Sequence, residues 1–383
     1  MKALNSVCVT VGVEPTGSAS DVICKDNLPE IYDSLFIAMG DYTLDSRGDV
    51  GAWVREASMS GLSDITSMVV SIDPSLISPQ VSKSIFCSLL QQACEKIDRT
   101  RSHAGVVFSK LLYHDPEIPN IPHKKDLEKN FPRSEINDIN WAAPSDTFPR
   151  CAKLLGCDDY LYSVLLGFTV SVGGITESLV KFSSSSMESY LRTIQEDKEL
   201  LSKFTQALLQ LFKDYQKKDR VSIPLLKMLD QLLSKGCFDL FVSDNSNTFP
   251  SDVLDLTKKE ISRSGDPHKL MASTDVYCGL LQFGEDTRKK ALSQLLILVC
   301  HKYPRVRKTT ANKLYEALVT YDDIVPDEAL DDIMTMLSET LWDNELQEVR
   351  PIRNQLCDMI GIPRPVLMTK TKPSDVRNET PDR

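Results

Sequence analysis

From residue 27 onward the apolar positions recur at helical spacing. Leu28, Ile31, Tyr32, Leu35, Phe36 and Met39 follow an i, i+3, i+4, i+7, i+8, i+11 order, which places all six on one face of a helix. Asn27 stands where a cap belongs and Pro29 in the first turn. A turn over residues 45–49 separates this helix from a second, predicted over about 50–70. Ser78-Pro79 opens a third, to about Glu95, and after a break at Lys96-Ile97-Asp98 a fourth runs to Leu112. Residues 28–113 read as two helical hairpins.

The same period returns from about Cys151 to Ile360. Phe204, Leu208, Leu211 and Phe212 share one helical face. So do Leu225, Leu229, Leu232 and Leu233, with Pro224 expected in the first turn, and Leu330, Ile333, Met334, Leu337 and Leu341, after Pro326. Breaks are expected at 183–186, 245–250, 265–267, 283–284 and 303–304, and Gly173-Gly174 reads as a tight helix-to-helix turn. Roughly fifteen helices of about 10–20 residues follow; nothing alternates at period two. Between the blocks, residues 115–150 carry Pro116, Pro119, Pro122, Pro132, Pro144 and Pro149, which block helix continuation. This segment is expected to be a long ordered loop or a linker, and its Phe131, Trp141 and Phe148 argue that it packs on something.

Helical pairs at this spacing predict an all-α, HEAT/armadillo-like α-solenoid of stacked hairpins, because each hairpin leaves an apolar face that only a neighbour covers. Repeats of this kind often begin the second helix with an Asp or Pro followed by a Val-Arg or Lys-Arg cluster. Asp49 to Ala57, with Arg55, fits, and so does Pro304 to Ala311, with Arg305, Arg307 and Lys308. Arg101 stands 46 residues after Arg55. These arginines are expected on the concave rim, either in inter-repeat ion pairs or against a partner. Lys302, Arg305, Arg307 and Lys308 cluster at one turn, which reads as a solvated rim or as a dock for an acidic protein surface. The organisation expected is 1–20 disordered, 21–114 a helical-repeat block, 115–150 the Pro-rich segment, 151–362 a second helical block and 363–383 a disordered tail.

Composition narrows the function. The net charge of −10 disfavours nucleic acid as the main partner. Ten scattered cysteines without a CxxC pair imply a reducing compartment rather than a disulfide framework. No signal peptide stands at the N-terminus, and residues 160–175 are expected to be a buried core helix rather than a membrane insertion. There is no P-loop, HExxH or GxSxG. The five histidines lie far apart, and Cys300-His301 lacks a second ligand pair at zinc spacing. Acidic pairs at 158–159, 322–323 and 331–332 are expected at helix starts or in turns. No catalytic, cofactor-binding or metal residue is assigned, and the chain reads as a non-enzymatic scaffold. The six residues Arg55, Arg101, Lys302, Arg305, Arg307 and Lys308 are its candidate partner contacts.

Several segments resemble the tubulin-folding cofactor D family, also called tubulin-specific chaperone D. They include 28–33, 45–51, 95–99, 131–134, 164–167, 171–178, 220–227, 236–239, 307–311 and 361–365, and together they span about 21–366. The resemblance implies binding of β-tubulin after it leaves the cytosolic chaperonin. It implies assembly and disassembly of the αβ-heterodimer with cofactors C and E and an Arf-like small GTPase, with stimulated GTP hydrolysis. It also implies a cytoplasmic, cytoskeleton-associated protein with a link to lateral cell junctions. In the family the hydrolysis-stimulating arginine is attributed to cofactor C, so none is assigned here. Family members are much longer, so the chain is expected to be an isoform, an incomplete gene prediction or a truncated form. Two rival readings are a general HEAT-repeat adaptor without tubulin activity, including one of the importin kind, and a GTPase-activating enzyme acting alone. The importin kind needs rows of Trp and Asn on its inner helices, and the chain has three Trp.

Overall fold

The computed structural model describes residues 1–365 apart from 175, 245 and 322. The tail beyond Pro365, expected to be disordered, lies outside the described residues. Within them are seventeen α-helices and one two-stranded hairpin, β1 (Leu44–Asp45) with β2 (Gly48–Asp49). The all-α solenoid expected from the sequence is what the chain forms.

The first helices are α1 (Lys2–Val11), α2 (Leu28–Met39), α3 (Gly51–Ile72), α4 (Pro79–Ala93) and α5 (Asp98–Leu112). The predicted stripe of α2 buries Leu28, Tyr32, Leu35 and Met39. Ser78 caps α4 through Val81 N at 3.2 Å. Asn27 does not cap α2 with its side chain. Its amide instead donates to the carbonyls of Ala19 and Val22 and accepts from Cys24 N. That stapling corrects the expectation for residues 1–20. They are ordered here because α1 lies on α3, Cys8 is buried, Asn5 donates to Asp64 at 2.9 Å, and Val13 pairs with Ile23.

The Pro-rich segment carries α6 (Lys124–Asn130) and α7 (Pro144–Ala152). Ile118, Leu127, Phe131, Trp141 and Phe148 are all buried in it. Phe108 of α5 meets Phe131 and Trp141 edge-on with ring centroids 5.0 and 5.8 Å apart, and the latter two stack at 5.4 Å. Gly105 makes this possible, since a Cβ there would lie 2.0 Å from Trp141.

The second block holds α8 (Asp158–Val172), α9 (Glu177–Ile194), α10 (Lys198–Asp214), α11 (Asp219–Ser234), α12 (Phe249–Ile261), α13 (Pro267–Gly279), α14 (Glu285–Leu298), α15 (Pro304–Thr320), α16 (Asp327–Glu339) and α17 (Leu346–Ile360). Like helices pack on like: α10, α12 and α14 form one row, and α11, α13 and α15 another. That second row continues through α8 to α4, so the two blocks share one hydrophobic core running from Cys8 to Ile362. At the join Gly167 of α8 lets the helices close, because a Cβ there would fall 2.5 Å from the Gln91 carbonyl.

Three local expectations are corrected. The serines at 183–186 do not break a helix; α9 runs through them, and Ser183 returns its hydroxyl to the Leu179 carbonyl at 2.7 Å. Pro224 lies inside α11 rather than in its first turn, with Gly173 against its Cα. Leu341 falls beyond the end of α16 and is exposed.

Candidate partner-binding surface

The six candidate basic residues divide into two groups. Arg55, Arg101 and Arg307 are almost wholly buried, at 0%, 1% and 2% exposure. Arg55 pairs its Nη2 with Asp49 Oδ2 at 3.0 Å and donates to the Asp41 carbonyl and to Gln92 Oε1. Arg101 donates to the carbonyls of Trp141 at 3.1 Å, Glu95 at 2.9 Å, and Ala142. Arg307 does the same with Trp342 at 2.7 Å, His301 at 2.9 Å and Asn344 at 2.6 Å.

The expected rim position of these three is therefore wrong. Each sits in the first turns of its helix and points inward. Arg101 and Arg307 each gather a carbonyl from just before their own helix and carbonyls of the segment that follows, in each case including a tryptophan's. A guanidinium suits this because its five N–H groups satisfy several buried carbonyls at once. Partner contact is excluded for them by burial.

Lys302, Arg305 and Lys308 are exposed. Among the described residues none of the three has an acidic partner; Lys302 lies over the Tyr303 ring, 4.8 Å from its centroid. Val306 and Arg307, buried between them, anchor the turn. This basic turn is the part of the predicted set that is available to a partner. His301 beside it carries a lowered pKa from burial and from the charges of Lys302 and Arg307, and its Nδ1 takes the Tyr303 N–H at 3.3 Å.

Sequence reasoning missed a larger polar centre. Glu95 at the end of α4 is buried, yet Arg220 Nη2 lies 2.8 and 2.7 Å from its two oxygens. The Tyr42 hydroxyl also donates to Glu95 and accepts from Gln92 at 2.8 Å. The guanidiniums of Arg55 and Arg220 both lie on the Tyr42 ring. Burial opposes the charge on Arg220, but Glu95, joined by Tyr42 and Asp49, outweighs it and raises the pKa of the guanidinium. Burial first, and then Glu95, push the Tyr42 phenol up.

A second centre joins the two rows. Glu260, fully buried, takes Lys269 Nζ at 2.6 Å, Ser222 Oγ at 2.8 Å and the Lys217 N–H at 2.7 Å. Burial lowers the Lys269 pKa, and Asp219 and Glu260 more than restore it. These centres bind repeats to one another. The acidic pair at 158–159 opens α8, whereas Asp331 and Asp332 lie in the second turn of α16.

Residues 83–269, from α4 to the first turn of α13, match the family model described as tubulin folding cofactor D C terminal. Both polar centres have members inside that stretch. Over that stretch the chain is similar to the C-terminal part of tubulin-folding cofactor D. Tubulin-specific chaperone D of Dictyostelium discoideum is 27% identical over 360 residues, covering 85% of this chain and 24% of that protein. Tubulin-folding cofactor D of Schizosaccharomyces pombe is 22% identical over 325 residues, covering 81% of this chain and 28% of its own length. The chain thus spans about a quarter of the length of these two relatives. Both relatives are named as a chaperone or a folding cofactor, not as an enzyme. All ten cysteines are free, and no described helix is long and apolar enough to cross a membrane.

Proposed function

We propose that this chain is a module of a tubulin-folding cofactor that binds β-tubulin on its helical surface. The observation that supports this reading is the match of residues 83–269 to the cofactor D C-terminal family, alongside relatives named for that role. In this reading the chain acts as a cytoplasmic, cytoskeleton-associated scaffold, with a link to lateral cell junctions. With cofactors C and E and an Arf-like small GTPase it takes part in assembling and disassembling the αβ-heterodimer. It contributes to GTP hydrolysis by positioning its partners and supplies no catalytic residue.

The physical basis is a division of labour among charges. The buried arginines are consumed in contacts within the stack, which leaves a preorganised surface for recognition. The basic turn at Lys302, Arg305 and Lys308 then docks an acidic patch of a partner, raising the encounter rate more than the affinity. Purified chain mixed with β-tubulin should co-purify with it, and GTP hydrolysis by tubulin should stay unchanged when this chain alone is added. Stimulation by the chain alone would support an enzyme in its own right instead. Absence of tubulin binding would favour the second reading, a general HEAT-repeat adaptor; a chain that spans about a quarter of its relatives leaves room for a tubulin site elsewhere in those proteins.

A further inference from the structure

His123 precedes α6 in the left-handed region, with φ 47° and ψ 34°. That turn carries its ring from the Pro-rich segment to the start of α8. Nε2 lies 3.2 Å from Asp159 Oδ2, while Asp159 Oδ1 takes Lys83 Nζ at 2.6 Å. Nδ1 lies 3.5 Å from Asp126 Oδ2. A nitrogen of His123, a carboxylate oxygen of Asp126 and the sulfur of Cys157 all lie within 4.8 Å of one another. The loop is held independently of these groups, since the buried Tyr160 donates its hydroxyl to the Pro122 carbonyl at 2.6 Å.

We propose that His123, Asp126 and Cys157 form a binding site for a zinc-type divalent metal, with Asp159 orienting the imidazole. A histidine that ligates a metal through one nitrogen almost always donates its other N–H to a carboxylate or carbonyl. Asp159 is that acceptor here. With the Nε2 N–H directed at Asp159, Nδ1 keeps its lone pair for a metal, and Asp126 Oδ2 lies 3.5 Å from it. One nitrogen, one oxygen and one sulfur make a donor set suited to zinc or cobalt rather than to magnesium or calcium. Tetrahedral ligand atoms around zinc stand about 3.5 Å apart, so small side-chain rotations close the site. Binding displaces the thiol proton of Cys157 and leaves the fourth position to water or to a partner's side chain. The site ties α6 to α8, so an occupied site braces the Pro-rich segment against the second block.

Titration of the full chain with Co²⁺, followed by competition with Zn²⁺, tests this. The expected result is one cobalt per chain, with a thiolate-to-cobalt charge-transfer band and intense tetrahedral d–d bands that zinc abolishes. Cys157→Ser should remove the charge-transfer band, His123→Ala should remove tight binding, and Asp159→Asn should weaken it about 10–100-fold. Absence of the band in the unmodified chain would overturn the proposal, leaving His123 as a hydrogen-bonding link between two aspartates. So would a band that survives in Cys157→Ser, because nine other cysteines remain. If Cys157→Ser loses its helical circular dichroism, the partly exposed His123→Ala decides: retained binding overturns the site and lost binding supports it.

Discussion

Arg220 reaches Glu95 across 125 positions of sequence, with one nitrogen 2.8 and 2.7 Å from the two carboxylate oxygens. The contact joins the first turn of α11 to the end of α4, and so fastens one helical block to the other. Removing one partner of a buried pair leaves the other charge unpaired, which costs about 3–5 kcal/mol. Arg220→Ala should therefore lower stability on that scale in chemical denaturation. Glu95→Gln combined with Arg220→Met should cost much less than the sum of the two single changes. Additive losses would mean that the pair does not couple the blocks.

Arg307 and Arg305 are two residues apart and have opposite fates. Arg307→Ala leaves the carbonyls of Trp342, His301 and Asn344 without their donor. A loss of about 2–4 kcal/mol is expected in urea unfolding. Arg305→Ala should leave the unfolding midpoint where it is. Equal effects would contradict the separation of buried from available basic residues.

Much of the scaffold was legible in the sequence, for a definite reason. Stripes such as Phe204, Leu208, Leu211 and Phe212 repeat at 3.6 because one face is buried, and all four are buried. Phe131, Trp141 and Phe148 announced that the Pro-rich segment packs. What the sequence could not carry was the partner of each long-range contact. Nothing near Arg101 says that the Trp141 and Ala142 carbonyls will converge on it, so its burial was invisible. The serines at 183–186 read as a break because propensity does not reveal that Ser183 can bond the turn behind it. His123 and Cys157 meet through the tertiary fold, and their 34-residue spacing matches no local metal motif.

Gly105 is fixed by the Trp141 ring. Gly105→Ala places a methyl group where the indole lies, and overpacking of this kind costs about 1–3 kcal/mol. Thermal unfolding should show that loss, together with weaker near-ultraviolet dichroism from the displaced tryptophan. The variant with Trp141→Leu added should recover part of the stability.

Asp275 of α13 has its pKa raised to about 6, first by burial and then by the nearby Asp230 carboxylate, with Lys313 partly opposing. Its ordinary value is 3.8. Between about pH 4 and 6 the folded chain thus holds a proton that the unfolded chain releases, and stability falls as pH rises through that window. Asp275→Asn should flatten this part of the curve. At pH 7 it should stabilise the chain by about 1–2 kcal/mol, after allowance for partial exposure and the lost Lys313 pairing. At pH 4 it should match the unmodified chain. A variant less stable at pH 7 would show that Asp275 is held by its ion pair instead.

In the proposed function this helical stack binds β-tubulin, and the turn at Lys302, Arg305 and Lys308 docks it. A binding isotherm of the full chain with β-tubulin, repeated for the Lys302→Glu, Arg305→Glu, Lys308→Glu variant, tests it most directly. Saturable binding that weakens with salt, and at least tenfold weaker binding by the folded triple variant, is the predicted result. No saturable binding by the unmodified chain, or equal affinity for both, would contradict it.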